Sequence, residues 1–514
     1  MKYLSILLCL CLSPALAENI PVLTYHYDNA RTGQNTNETI LTPANVNFNT
    51  FGVLFTYPVD GQVYAEPLIM TNVAIPGQGM HNIVFVATQH DSVYAFDADS
   101  DAGPTGGLLW HASVGTSAAT PNNYFGGYYQ DINPEVGITS TPVIDPVSGT
   151  IYVDALTSEG SWFVHRIHAL DIKTGAERSY SPVLVTASVP GIGDGSSGGV
   201  LRFNPKQQLQ RPALTLAGGM LYAAYSGYAD TVPYHGWVIG FDAANLQQIT
   251  NYVFNTTPNT GEGGIWQSGN GLAVDAGTNL YFEVGNGIFN ATNGLSGTEY
   301  GNSFIKLSAT NGLKLVDFFT PFDLAFLGGD WDLGSGGSVL LPDSVGNAAH
   351  PHLLVGSGKK GTIYLLDRDN LGHFNRTNDH QIVQELTSAV GGTWSSGAYF
   401  NRMVYYQGAN DVLKAFAFAP ANGALLTTPV SQSSTGFGFP GATPVISANG
   451  VNNAIAWALE TDGYSASGIT SPSILHAYNA YNLSQELYNS SQAGGRDNPG
   501  LAVKFTVPTV ANGK

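Results

Sequence analysis

An all-β chain built from repeated four-stranded units is the fold class that the sequence predicts, on three observations. Apolar stretches are short and separated by turn residues, and no long run carries helical periodicity. Glycine accounts for 62 of 514 residues while only 11% are charged, a composition that suits many tight turns between strands. One phrase also recurs along the chain: a polar-Pro-apolar strand, a turn, an aromatic-rich strand, then a strand ending in Asp before another turn.

Taken in order, the chain opens on an expected secretory signal over 1–17. Lys2 supplies the positive start, residues 4–12 an apolar stretch, and Ala15-Leu16-Ala17 an A-x-A cleavage site. Residues 18–514 are then expected as one exported body, periplasmic or secreted, and as a monomer. Both cysteines, Cys9 and Cys11, lie inside the signal, which excludes disulfides, thiol nucleophiles and covalently attached haem from the exported part. No later stretch is apolar over the length that a membrane-spanning helix needs. The formal net charge of −18 argues against nucleic acid or an anionic membrane as partner.

The repeats follow. The first is Glu66-Pro67-Leu68-Ile69, Ile83-Val84-Phe85-Val86 and Val93-Tyr94-Ala95-Phe96-Asp97, closing on Leu108-Leu109-Trp110. The second runs from Thr141-Pro142-Val143-Ile144 to Ala169-Leu170-Asp171 with the turn Thr174-Gly175, and the third from Arg211-Pro212-Ala213-Leu214 to Gly240-Phe241-Asp242. The fourth starts at Gly271-Leu272-Ala273-Val274. The fifth joins a Gly-rich loop, Gly328-Gly329-Asp330-Trp331-Asp332-Leu333-Gly334, to a hairpin around Gly358-Lys359-Lys360-Gly361. The sixth and seventh start at Gly397-Ala398-Tyr399-Phe400 and Thr443-Pro444-Val445-Ile446. An eighth start, Val507-Pro508-Thr509-Val510, reads as a unit cut short, with residues 51–57 as its expected outermost strand. Four-stranded units at this period make a β-propeller, here with eight blades and with seven as the second choice.

These repeats, with their Val-Tyr-Ala-x-Asp and Leu-Leu-Trp phrases, resemble the quinoprotein (pyrroloquinoline quinone, PQQ) repeat. Tyr27-Asp28-Asn29-Ala30-Arg31-Thr32-Gly33 and Leu41-Thr42-Pro43-Ala44 resemble the lead-in of quinoprotein alcohol dehydrogenases. The resemblance implies PQQ and calcium as cofactors and a small-molecule alcohol as substrate. On it, Asp332 looks like the aspartate that takes the substrate's hydroxyl proton, and Lys359 like the basic residue at the quinone oxygens. Trp266 resembles the tryptophan against which the cofactor stacks, and Asn286 the asparagine that ligates calcium, with Asp230 a looser match for the acidic ligand. Glu66, Arg211 and Trp394, on first strands or loops of other units, are expected around the same cavity as further cofactor contacts.

The departures are specific. The family's adjacent cysteine pair is absent, Tyr64 stands where a glutamate is expected, and Asn133-Pro134-Glu135-Val136-Gly137 lacks the expected arginine. No haem motif is present, so electrons would leave to an external acceptor.

As chemistry the set is coherent, because a carboxylate base beside a cation suits removal of a hydroxyl proton, oxygen donors suit calcium, and an indole face suits a flat ring. Each residue also has a plain structural reading: the tryptophans as packing between blades, Asn286 as a turn residue, Lys359 as a solvated charge and Asp332 as a loop cap. The competing functional reading is a binding or scaffold propeller of the cell envelope that engages a protein partner and has lost the cofactor. His165 and His168 should face opposite sides of a strand, and His350-Pro351-His352 has no acidic partner fixed in sequence.

Overall fold

The computed structural model describes residues 19–120, 129, 131–420, 423–464 and 471–514; the expected signal over 1–17 lies outside them. Among the described residues there are seven sheets, each with four antiparallel strands in chain order, the fourth and seventh carrying a fifth strand in parallel, and the fold is a β-propeller. The first sheet is Leu68–Ile75, Gly79–Ala87, Ser92–Asp97 and Leu108–Ser113. The innermost strands of the other six are Val143–Asp145, Thr215–Ala217, Ala273–Val274, Val339–Leu340, Ala398–Phe400 and Val445–Asn449. No helix among the described residues is long and apolar enough to cross a membrane.

The second strands explain how neighbouring sheets adhere. Successive side chains point to opposite faces of a strand, and here both faces are covered. Thus Leu221 joins a core shared with the second sheet while Tyr222 joins one shared with the fourth. Leu280 and Tyr281 divide in the same way between the third and fifth sheets, as do Val404 and Tyr405 between the fifth and seventh. This is why these strands read as continuous apolar runs rather than as strict alternation. Trp110 adds a link: its Nε1 donates to Ile172 O at 2.9 Å, and its ring lies over Gly175, where a Cβ would approach within 2.5 Å.

The channel is filled by the N-terminal segment, which meets the innermost strand of each sheet in turn. Val22 bridges Ile69, Ile144 N donates to Leu23 O, and Asn29 Nδ2 donates to Leu216 O. Val274, Leu340, Tyr399 and Ile446 then donate to the carbonyls of Asn29, Ala30, Thr32 and Gly33, all at 2.7–2.8 Å. Gln34–Asn35 continues as a short parallel strand beside Val445–Asn449. One irregular segment thereby satisfies a free backbone edge on all seven sheets.

The expected eighth blade is not found as a sheet. Residues 51–57 form no strand, and neither do 507–511. Both occupy the sector between the seventh and first sheets. Phe51 packs on Trp457 and Tyr488 of the seventh, and Tyr57 stacks on Phe96 of the first at 4.4 Å. Thr509 donates to Pro67 O at 2.7 Å, and Val510 N to the Tyr27 hydroxyl at 2.8 Å. Here side-chain contacts replace the ladder that the apolar pattern of 51–57 suggested.

The histidines serve the scaffold. His165 is buried against Asp154 and His168 against Glu177, on opposite faces of Trp162–Asp171 as their spacing requires. His350 and His352 pair with Asp367 and Asp369. His476 is buried between Glu460 at 2.9 Å and Glu486 at 2.7 Å. Burial opposes its charge, yet the hydrogen bonds to Glu460 and Glu486 prevail and raise its pKa. A pKa raised in the folded state contributes stability that is complete below the unfolded value, about 6.5, and is lost as pH rises through the folded value. His476→Gln should therefore cost most in denaturant melts at acidic pH, with the difference from the native chain shrinking as pH rises. A difference constant with pH would contradict this.

Candidate functional site

Antiparallel four-stranded sheets place two kinds of loop at the same end of the ring: those joining second to third strands, and those joining one sheet to the next. Asp230, Asn286 and Lys359 lie in loops of the first kind. Arg211, Trp266, Asp332, Trp394 and Phe439 lie in the second, and Lys504 and Phe505 follow the last sheet. These loops enclose a cavity of about 360 Å³, lined by seven of the eight residues singled out above: Asp230, Arg211, Trp266, Asn286, Asp332, Lys359 and Trp394.

Asp332 is at its centre and is 2% exposed. Its Oδ2 accepts from Trp266 Nε1 at 3.0 Å, and its Oδ1 lies 2.5 Å from Lys359 Nζ. The loops are stitched together around it, because Lys359 N donates to Asp332 O and Leu333 N to Asn302 Oδ1. Gly285 lets the carboxylate lie close, since a Cβ on it would lie 3.1 Å from Asp332 Oδ2. Lys359 also meets Asp330 Oδ1 at 2.5 Å, and Asp330 holds a left-handed backbone, φ 67°.

Burial raises the Asp332 pKa, and the Lys359 ammonium and the Trp266 indole N–H offset only part of that rise. A cation beside the carboxylate is thus not enough to return it to the ordinary carboxylate value. The Lys359 pKa is raised as well: burial works against its charge, but Asp332 and Asp330 more than compensate.

Another part of the lining is cationic and aromatic. Arg211 is 4% exposed, with its guanidinium carbon 5.0 Å from the centre of the Tyr64 ring and 5.1 Å from that of Phe505. Neither Nη1 nor Nη2 has a hydrogen-bond partner among the described residues. Lys504 lies 5.4 Å from the Phe505 ring centre and 3.9 Å from Asp131, and burial pushes its ammonium pKa down to about 8. Phe505 has φ 66°, a conformation that a bulky residue rarely adopts.

Asn286 Oδ1 is likewise buried without a hydrogen-bond partner among the described residues, while its Nδ2 donates to Asp330 Oδ1 at 3.4 Å. Asp230 accepts from the Tyr234 hydroxyl at 2.6 Å. No group of three acidic, histidine or cysteine side chains among the described residues is arranged to hold a metal, so a cation here would also need Asn286 and a ligand oxygen.

Glu66 is the exception among the expected residues. It does not line the cavity: it is 2% exposed, accepts from His26 N at 2.8 Å and from the Thr509 hydroxyl at 3.3 Å, and burial pushes its carboxyl up to about 8. Its place next to Pro67, one residue into the innermost strand's approach, turns it toward the channel segment. Sequence reasoning missed Lys504 and Phe505 because they lie beyond the last complete repeat, where spacing offers no guide. Trp331, between the two aspartates, is 47% exposed and stacks on Phe326 at 5.5 Å.

Comparisons with known proteins agree with the architecture. Among solved structures, a quinohemoprotein alcohol dehydrogenase from Pseudomonas putida HK5 superposes with a TM-score of 0.56 at 14% identity, over 91% of this chain and 72% of its own. The computationally designed Ika8 protein (TM-score 0.43, 10% identity, 86% and 90% covered) and Saccharomyces cerevisiae Sqt1 (0.42, 8%, 84% and 85%) are more distant. No family model and no curated protein sequence matches the chain. The likeness to the dehydrogenase is one of fold: this chain is a β-propeller.

Proposed function

We propose that the cavity binds a flat, polycarboxylate quinone of the PQQ type together with calcium, and that the protein oxidises an alcohol outside the cytoplasm, passing electrons to a separate acceptor. The observation that carries this reading is a buried carboxylate, Asp332, held between an indole N–H and an ammonium in a cavity whose lining also presents a guanidinium with no hydrogen-bond partner on Nη1 or Nη2 among the described residues. The residues fit the group. Arg211 and Lys504 would hold its carboxylates, which compensates for the arginine missing from 133–137, and Lys359 would face its carbonyl oxygens. Asn286 Oδ1, Asp230 and Asp332 offer oxygen donors of the kind that calcium takes. When bound, the quinone supplies the two-electron acceptor.

The chain's own residues do the rest. Asp332, ionised, accepts the substrate's hydroxyl proton. Trp266 and Lys359 fix the orientation of the carboxylate, and the surrounding rings limit the access of water.

Isothermal titration with PQQ and calcium tests this. The expected result is stoichiometric binding that weakens by roughly ten- to a hundredfold in Arg211→Met, the equivalent of a charge-assisted hydrogen bond of ~1.5–3 kcal/mol. Absence of binding would leave the chain as a binding propeller without the chemistry.

A further inference from the structure

The cavity presents free donors that have little access to solution. Arg211 lines it and is 4% exposed, and among the described residues its Nη1 and Nη2 have no hydrogen-bond partner. One ring touches both this guanidinium and Trp266. Phe505 has its ring centre 5.1 Å from the guanidinium carbon and 6.1 Å from the centre of the Trp266 ring, inclined at 62° to it. A planar ligand that reaches from Trp266 to Arg211 therefore has to pass the Phe505 ring.

Hydrogen bonds hold the segment that carries Phe505 at its two ends. On one side Ala502 N donates to Ser471 O and Ser473 N to Gly500 O, both at 3.0 Å. On the other the Thr509 hydroxyl donates to Pro67 O at 2.7 Å and Val510 N to the Tyr27 hydroxyl at 2.8 Å. Between them, among the described residues, 503–508 make no backbone hydrogen bond outside the segment, and Thr506 Oγ1 donates within it to Val503 O. The loops carrying Trp266, Asn286 and Lys359 are instead joined to their neighbours: Ile265 N donates to Tyr225 O at 3.1 Å, Gly285 N to Gly264 O at 2.9 Å and Lys359 N to Asp332 O at 3.2 Å. Phe505 also holds φ 66°, a left-handed conformation that strains a bulky residue and that glycine adopts freely. A strained segment with few backbone bonds opens more readily than the structure around it.

We propose that residues 503–506 form a strap at the cavity with Phe505 as its latch: a flat anionic ligand enters when the strap lifts and is enclosed when it returns. On the dehydrogenase reading that ligand is the quinone, so the strap sets how fast the protein is loaded and how long it keeps its cofactor. The identity of the ligand rests on that reading; the opening rests on the strap's own contacts.

Stopped-flow mixing with naphthalene-2,6-dicarboxylate, a flat dianion without quinone chemistry, tests this through the fluorescence of Trp266 and Trp394, which line the cavity. In the native chain the binding rate is expected to level off as the probe concentration rises, because lifting of the strap limits entry. In Phe505→Gly, which removes the ring and accepts the same backbone conformation, entry and release should both be at least tenfold faster. Hydrogen exchange on the native chain without ligand should show amides 503–506 exchanging at least tenfold faster than the tethered amides of Ala502 and Val510, and slowing when the probe is bound. Faster release with unaltered entry makes Phe505 a wall and overturns the latch. Amides 503–506 protected as well as their neighbours in the free protein, or a probe that binds neither protein, also overturn it. If the probe enters as expected and PQQ does not bind, the dehydrogenase reading falls and the strap stands.

Discussion

Replacing Asp332 by asparagine is expected to lower alcohol oxidation by about 10²–10⁴-fold, the contribution of a positioned general base, while cofactor uptake persists. Asparagine keeps the size of the side chain and an oxygen to accept from Trp266 Nε1, and Lys359 retains Asp330 at 2.5 Å. The lost quantity is the proton-accepting charge.

The same residue predicts a pH profile. Burial holds its pKa above the ordinary carboxylate value, so the base is competent only above that raised value, and activity falls as pH drops through it. Lys359 pulls in the opposite direction, so Lys359→Met should move the acid limb of the profile further upward. For the fold the sign is the reverse: a carboxyl whose pKa is raised on folding stabilises fully below its unfolded value and loses that contribution as pH rises through the folded one. Asp332→Asn is therefore expected to melt no earlier than the native chain at neutral pH, which separates lost chemistry from lost structure.

The second large effect concerns stability. Arg31 is completely buried in the channel, at 0% exposure, and its donors are used throughout. Nε and Nη2 donate to Leu272 O at 3.2 and 3.0 Å, Nη1 to Thr24 Oγ1 and Tyr25 O at 2.8 and 2.9 Å, and Nη2 also to Thr215 Oγ1 at 2.7 Å. The side chain thus joins the N-terminal segment to the third sheet and to the approach of the fourth. Gly271 lets it lie close, since a Cβ there would meet Nη2 at 2.5 Å. Arg31→Ala leaves several buried acceptors unpaired and opens a void, and is expected to cost about 3–5 kcal/mol in denaturant unfolding. A loss within the ordinary range for surface substitutions, about 0.5 kcal/mol, would show that the segment does not hold the ring.

The repeat grammar made the seven sheets legible because each one needs the same residues at the same offsets: an apolar strand covered on both faces, a turn, and a closing aspartate. The loop residues Asp332, Lys359, Trp266 and Asn286 were singled out by their resemblance to quinoprotein alcohol dehydrogenase motifs, not by the repeat itself. Where a segment is irregular, its partners are distant and no periodicity names them. Residues 22–33 show this most clearly, with their carbonyls spent one by one on six of the seven sheets and the Asn29 side chain reaching the other. Residues 51–57 have the apolar content of a strand but no free edge to pair with, and they are held by rings instead. Glu66 was read from its neighbour Pro67 as a cavity residue, yet it is bound by His26 and Thr509, one from each end of the chain. Lys504 places a cation in the cavity lining from a part of the sequence where nothing in the spacing pointed to it.

The most direct measurement is turnover by the purified protein reconstituted with PQQ and calcium, followed by reduction of an artificial electron-accepting dye on addition of an alcohol. The account predicts a bound-quinone spectrum and alcohol-dependent dye reduction, both present in the native chain, with only the spectrum remaining in Asp332→Asn. A native chain that shows the spectrum but reduces dye no faster than Asp332→Asn would contradict it.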